Sequence, residues 1–356
     1  MSESATSAAA DLTGSGLDPQ AWQRLGEYLL AAGVTDTVEI KPTLLTGGQS
    51  NPTYRLSVGQ DQLVLRKKPA GDLLPSAHAV DREYRVMKAL AKTGVPVPEM
   101  LLYCDDETVI GTPFYVMRFL EGRVFFDQTI PEVSKVERTA IYQDLNRVIA
   151  ALHQVDPNAV GLADYGRAGN YFGRQINRWS RQYLENHTER LDSLEKLIEW
   201  LPTRIPAGDE VSIVHGDFRL DNVMLHPTES RAIAVLDWEL STLGHPLADF
   251  SYHCMSWHIP PSLWRGIGGL DLAAMGIPSE AEHVAQYVKA TGLTQAQEHW
   301  DFYLAYNFFR MSSILYGIGQ RARQGTAAAA DALETAAKAG PLADLGWHYA
   351  QRYNQR

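Results

Sequence analysis

The sequence predicts an α+β fold of two lobes, a β-rich first third followed by a helical remainder. Three observations carry this. From residue 38 to 67 the apolar residues fall in short alternating runs, VEIKPTLL, NPTYRLSV and QLVLRKK, the pattern of half-buried strands. Beyond residue 121 the apolar spacing becomes that of helices for most of the chain. Between the two regimes lies Leu120-Glu121-Gly122, a candidate hinge. With 356 residues the chain can build two cores, and its net charge of −10 lacks the basic footprint of nucleic-acid or anionic-membrane binders.

Residues 1–16, rich in Ser, Ala, Gly and Thr, read as a disordered tail, with neither the basic start nor the apolar core of a secretory signal. Asp18-Pro19 opens a helix carrying Trp22, Leu25 and Leu29 at helical spacing, and Gly33 closes it. The three alternating runs make a β-meander, its first turn holding Gly47, Gly48, Gln49, Ser50 and Asn51. That turn is either an ordinary hairpin loop or one whose backbone N–H groups approach a phosphate. An amphipathic helix follows over 77–92, then strands over 100–103 and 114–119 with an acidic turn at 105–107. The second lobe reads as helices over 134–153, 169–186, 189–200, 246–257, 279–290, 296–321, 327–338 and 342–353. The predicted domains are therefore the tail, a lobe over 17–120 and a lobe over 121–356. Cys104 and Cys254 form no metal or redox motif, and no apolar run is long enough to span a membrane, so a reduced, cytoplasmic protein is expected.

The chemistry concentrates in VSIVHGDFRLDNVMLHPTESRAIAVLDWEL, residues 211–240. Two β-branched runs end abruptly in polar residues, the first at His215-Gly216-Asp217 with Asn222 beyond it, the second at Asp237-Trp238-Glu239. Phosphoryl transfer needs a base that orients a hydroxyl, oxygen ligands for Mg²⁺ and a cation on the phosphates. Asp217 suits the base, Asn222 and Asp237 the oxygen ligands.

His215-Gly216-Asp217 with Asn222 resembles the HGDxxxxN catalytic loop of the aminoglycoside phosphotransferase and choline kinase family, the small-molecule branch of the protein-kinase-like fold. The similarity extends over about residues 20–350. Within the family, LVLRKKP, REYRVMKAL and LDWELSTLGHPLADF most resemble kinase-like domains related to those attached to some acyl-CoA dehydrogenases. The resemblance implies a bilobal kinase-like fold and transfer of the γ-phosphate of ATP, with Mg²⁺, to a hydroxyl of a small molecule. It implies Asp217 as catalytic base and Asn222 and Asp237 as metal ligands. It further implies a phosphate-covering loop from Gly47 to Asn51, and a hinge near Met117 and Phe119 that meets adenine. Glu83 would pair with the basic residue of the third strand, and Asp249 would brace the catalytic loop.

The expected phosphate-contacting lysine falls on Arg66. Strand alternation sets Leu63 and Leu65 on one face and Val64 and Arg66 on the other, which leaves Lys67 as the second choice. Arg is not a neutral replacement for Lys, although its fork suits phosphate. On the acceptor side, Arg174, Arg178 and Arg181 form one helical stripe. The stripe is either a solvated face or, with Glu239, part of a site for an anionic hydroxyacyl acceptor. His245, His253 and His258 lack the spacing of a helix-borne metal pair and read as core or surface residues. Expected partners are the small-molecule acceptor, with neither nucleic acid nor membrane, in a monomer or homodimer. Two other readings are a catalytically inert nucleotide-binding pseudokinase and a protein kinase. Against the second, Pro246 follows Asp237 too soon for a long activation segment.

Overall fold

The computed structural model describes residues 17–45, 51–69, 78–185, 190–324 and 332–355. The predicted tail and Gly47, Gly48, Gln49 and Ser50 lie outside them. The chain divides into two compact units, one containing residues up to Gly122 together with Ile233–Glu239, the other Arg123–Ala232 with Leu240–Arg356.

The first unit opens with α1 (Pro19–Ala31), capped by the Asp18 side chain, which accepts from the Ala21 N–H at 2.6 Å. Five antiparallel strands follow: β1 (Lys41–Leu44), β2 (Thr53–Val58), β3 (Asp61–Lys67), β4 (Met100–Cys104) and β5 (Phe114–Arg118), in spatial order β1-β2-β3-β5-β4. Leu25 and Leu29 of α1 pack on Tyr54, Leu56, Leu63 and Leu65 from one sheet face. Helix α2 (Val80–Leu90) lies against β4 and β5 and reaches β3 through Glu83, which pairs with Arg66. The alternation along β3 thus divides its residues between two covered faces. The acidic turn at 105–107 differs from expectation. It becomes a short helix, α3 (Glu107–Ile110), because the Asp106 carboxylate accepts from the Thr108 N–H at 2.9 Å and caps it.

The second unit contains α4 (Lys135–His153), α5 (Tyr171–Leu184), α6 (Asp192–Trp200), four short strands and α7 (Pro246–Cys254). The strands are β6 (Ser212–Val214), β7 (Val223–Leu225), β8 (Ala232–Val235), whose last three residues belong to the first unit, and β9 (Thr242–Gly244). Then come α8 (Leu272–Met275), α9 (Glu280–Thr291), α10 (Gln295–Glu298), α11 (Trp300–Arg323), α12 (Ala332–Ala336) and α13 (Ala339–Asn354). Helix α11 is buried along most of its length and packs on α5, α7 and α13, forming the spine of this core. Strands β6 and β9 pair antiparallel, Ile213 opposite Leu243, and set the start of the Asp217 loop.

The helix predicted over 246–257 ends at Cys254 and tightens into a 3₁₀ turn at Met255–Trp257. The one predicted over 296–321 splits into α10 and α11 at His299. The segment Ile233–Glu239, expected in the second lobe, belongs to the first unit. There the Val235 N–H donates to the Pro96 carbonyl at 2.9 Å, and Trp238 is buried with its indole N–H on the Val235 carbonyl. Among the described residues no helix is long and apolar enough to cross a membrane.

Candidate active site

Two groups of polar side chains hold the candidate residues, one in each unit. In the first unit the centre is Arg66. It leaves β3 on the face opposite Leu65, and its Nε lies 2.9 Å from the Glu83 carboxylate. Its Nη1 donates to the Thr53 hydroxyl at 3.3 Å, and its Nη2 stands 3.5 Å from Asp237 Oδ1. Glu83 is 1 % exposed. It also accepts from the Tyr115 hydroxyl at 3.0 Å and the Asn51 amide at 2.9 Å. Burial pushes the Glu83 carboxyl up, while Arg66, Tyr115 and Asn51 oppose the shift without cancelling it. Burial would lower the Arg66 pKa, but Glu83, Tyr115, Asp237 and Glu239 outweigh it, so the guanidinium is held charged.

This arrangement sorts the sequence candidates. Lys67 is buried on the opposite face from Arg66, its Nζ 3.4 Å from the Lys68 carbonyl, and it takes no part. Asn51, expected to cover phosphates, instead turns its side chain inward, between Glu83 and the His78 ring at 3.0 Å; it braces the ion pair. Met117 is half-buried in β5. Phe119 donates its N–H to the Gln62 carbonyl at 3.0 Å, with the Arg55 guanidinium 4.4 Å over its ring. Asp237 has a φ of +65°, a left-handed conformation that a non-glycine residue adopts at a cost, and its carboxylate is half-exposed. Glu239 is exposed in the following 3₁₀ turn.

In the second unit the loop after β6 holds Asp217. The Asp249 carboxylate, on the first turn of α7, accepts from the backbone N–H groups of His215 at 2.7 Å and Gly216 at 2.8 Å. His153 Nε2 lies 3.2 Å from the same carboxylate. These contacts hold Asp249 below the usual carboxylate range, although burial alone would raise it. Gly216 has a φ of +84°, and a Cβ there would sit 2.8 Å from the Leu240 carbonyl oxygen, so only glycine fits.

The Asp217 side chain is held on both oxygens. Oδ2 accepts from the Asn222 amide at 3.0 Å, and Oδ1 accepts from the Tyr252 hydroxyl at 2.5 Å with Arg219 Nε at 3.1 Å. The Asn222 amide nitrogen also donates to the Asp217 carbonyl at 2.8 Å, which presents the amide oxygen as the acceptor end. Arg219 and Arg265 both pair with Asp221, at 3.2 and 2.8 Å. Beside this cluster lies a small cavity, partly open to solvent, walled by Met255, Ile259, Trp264 and Met311, with Arg219, Tyr252 and Arg265 also lining it.

The arginine stripe lies elsewhere. Arg178 and Arg181 are exposed, the first over the Trp179 ring at 4.9 Å and the second 3.7 Å from Glu185. Arg174 donates to the Arg167 carbonyl. None of the three lines the cavity. His253 is a core residue against His283 at 3.2 Å, and the half-buried His258 lies against Glu280 at 2.5 Å; His245 caps α7 and pairs with Glu210 at 3.1 Å. Among the described residues no group of three or more His, Cys, Asp or Glu is placed to hold a metal. Taken separately, Asn222 in the second unit and Asp237 in the first each carry an oxygen of the kind that Mg²⁺, a hard ion, takes.

Tyr115, Tyr252, Arg219, Asp221, Arg265 and Arg310 are functional candidates that the sequence reading missed. Tyr115 was reachable from register, since it stands across from Arg66 on β5. Tyr252 follows Asp249 at helical i, i+3 spacing and so shares its face of α7. Arg219 and Asp221 lie inside the motif itself. Arg265 and Arg310 come from distant segments and carry no local signal.

Comparisons with known proteins place the chain in a family. A model of the phosphotransferase enzyme family matches residues 41–299. Mouse acyl-CoA dehydrogenase family member 10 is 43 % identical over 307 residues, covering 86 % of this chain and 29 % of that protein. Rat acyl-CoA dehydrogenase family member 11 is 40 % identical over 330 residues, covering 92 % and 42 %. The chain therefore spans less than half the length of these relatives. A crystal structure from Ralstonia eutropha JMP134, of a protein provisionally termed an aminoglycoside phosphotransferase, is 48 % identical with a TM-score of 0.85, covering 94 % of this chain and 99 % of that one. The aminoglycoside phosphotransferase APH(4)-Ia, in a ternary complex with AMP-PNP and hygromycin B, shares the fold at 16 % identity and a TM-score of 0.61, over 91 % and 98 %. The chain has the kinase-like fold of these enzymes and belongs to the phosphotransferase enzyme family.

Proposed function

We propose that this protein transfers the γ-phosphate of ATP to a hydroxyl of a small anionic molecule, with Asp217 as the base. The observation that carries the reading is the Asp217 carboxylate, fixed on both oxygens by Tyr252 and Asn222 beside a cavity lined by Arg219 and Arg265. Oδ1 is engaged by Tyr252 and Arg219, whereas Oδ2, with Asn222 on one side, keeps a second lone pair that can orient an incoming hydroxyl and accept its proton. The AMP-PNP bound by the APH(4)-Ia relative supports ATP as donor. Arg66, held charged between Glu83 and Asp237, is the cation available to the donor's phosphates. Asn222 and Asp237 would hold Mg²⁺, which when bound neutralises charge on the phosphate oxygens.

The acceptor's charge is now supported by Arg219 and Arg265, in place of the Arg174, Arg178 and Arg181 stripe. The apolar wall of Met255, Ile259, Trp264 and Met311 favours an acceptor with a hydrocarbon part, consistent with an anionic hydroxyacyl compound. The inert pseudokinase reading rests on Arg66 alone, and Arg66 keeps the carboxylate pairing expected of a working site. The test is ADP production from ATP and Mg²⁺ across hydroxyl compounds, anionic and cationic, repeated with Asp217→Ala. Turnover on anionic acceptors that falls at least about 100-fold in the variant is expected. A preference for aminoglycosides overturns the acceptor class, and ATP binding without turnover on any acceptor overturns the enzymatic reading.

A further inference from the structure

Asp217 has a competitor for its attention. Arg219 Nε stands 3.1 Å from Oδ1, and a guanidinium beside a carboxylate prefers the two-pronged pairing in which both its nitrogens engage both oxygens. Such a pairing would draw the base onto Arg219 and occupy the lone pairs that an acceptor hydroxyl needs. Two contacts oppose it. Asp221, a carboxylate also tied to Arg265, holds the Nη2 end of Arg219 at 3.2 Å. The Tyr252 hydroxyl holds Oδ1 of Asp217 at 2.5 Å, the shortest contact the carboxylate makes.

Tyr252 is itself held. Its ring lies in the buried row of α7, one turn beyond Asp249, so a single helix face braces the loop backbone through Asp249 and the loop carboxylate through Tyr252. The Arg310 guanidinium, from α11, lies 5.2 Å from the centre of the Tyr252 ring and donates to the Gly216 carbonyl at 3.0 Å. Arg310 thus ties the aromatic ring to the loop whose carboxylate that ring supports. Burial and the adjacent Asp217 push the Tyr252 phenol well up, so its proton stays in place as the donor.

We propose that Tyr252, seated on Arg310, is the positioning residue that keeps Asp217 turned to the acceptor cavity and out of the fork of Arg219. The proposal rests on Asp217 being the base, and its test separates the two. Tyr252→Phe removes one oxygen and keeps the ring. In its crystal structure the Asp217 carboxylate is expected to rotate into a two-pronged pair with Arg219, a readout that needs no acceptor. With an acceptor from the panel above, kcat is expected to fall about 10- to 100-fold while KM for ATP holds, the signature of a misaimed base. Adding Arg219→Gln removes the competitor, and most of the lost kcat returns even where KM for an anionic acceptor rises. An unmoved Asp217, or a kcat within about twofold of the parent's, overturns the proposal. Wild-type protein that phosphorylates nothing overturns the functional reading and leaves the crystal structure to decide this one. Should Tyr252→Phe fail to fold, Arg310→Lys keeps the charge but loses the fork that spans ring and carbonyl, and is expected to move Asp217 in the same direction.

Discussion

Arg66→Met leaves the Glu83 carboxyl in a site that is 1 % exposed, without its cation. A buried carboxylate in that position has an escape, because it can take up a proton. The cost of doing so at pH 7 is the gap between pH and the ordinary Glu value near 4.3, about 4 kcal/mol at 1.4 kcal/mol per unit. That figure caps the electrostatic penalty, and it shrinks to about 1 kcal/mol at pH 5. The Tyr115 and Asn51 contacts survive in either protonation state, Asn51 by accepting instead of donating if its amide turns. Because wild-type Glu83 is itself raised and gains in part as pH falls, Arg66→Met is expected to recover at most about 3 kcal/mol of its deficit relative to wild type between pH 7 and pH 5.

The partner substitution behaves differently. Glu83→Gln strands Arg66, whose guanidinium cannot lose its proton, with Thr53 at 3.3 Å and Asp237 at 3.5 Å as remaining partners. Its cost, about 3 kcal/mol, is expected to be the same at both pH values. Urea unfolding followed by circular dichroism at pH 5 and 7 measures both deficits, and the double variant gives the coupling between them. A pH-independent deficit for Arg66→Met, or two single effects that simply add, would refute the buried ion pair as drawn.

Two further outcomes follow from the second unit. Gly216→Ala forces a side chain into a left-handed conformation 2.8 Å from the Leu240 carbonyl, so a loss of about 2 kcal/mol or more in urea unfolding is expected together with loss of turnover. Buried His253, lowered by burial to about 4, and His283, lowered well below its ordinary value by burial and the neighbouring His253, stay neutral in the folded state. The unfolded chain binds their protons first as pH falls below about 6.5, so stability is expected to drop from there toward pH 4, by up to about 3 kcal/mol for His253. His253→Gln is expected to flatten that slope, and an unchanged pH profile would count against it.

The fold was legible where one period dominated. Alternation in residues 53–67 placed strands β2 and β3 and set Arg66 against Lys67 on opposite faces, because a period of two leaves no other choice. The pairing of Asp217 with Asn222 could be read because the two are five residues apart in one loop, whereas the bracing of that loop by Asp249, distant on α7, came only from the family resemblance. The segment Ile233–Glu239 was not legible, since its membership of the first unit depends on a backbone bond to Pro96, far away in sequence. The arginine stripe shows a related limit. Helical spacing shows that Arg174, Arg178 and Arg181 share a face but not what that face meets, and their partners are Arg167, Trp179 and Glu185. The arginines beside the cavity are one within the motif and one in a loop near residue 265, brought together by Asp221.

The arginine on β3 is better understood as a change of geometry than as a lost lysine. Its three nitrogens have three separate partners: Nε with Glu83, Nη1 with Thr53 and Nη2 with Asp237. A lysine ammonium is a single point at the end of a flexible stem and would have to favour one of them. The distances rank the partners, 2.9 Å to Glu83 against 3.5 Å to Asp237, so the tight contact orients the guanidinium and the loose one is the contact that can yield. Asp237 is half-exposed and held in a left-handed backbone conformation, features of a group poised for an external partner. A ligand that draws Asp237 away would leave Arg66 still anchored by Glu83 and Thr53, with one end of its fork released. That end is suited to a phosphate oxygen, which makes the substitution compatible with phosphoryl transfer on chemical grounds.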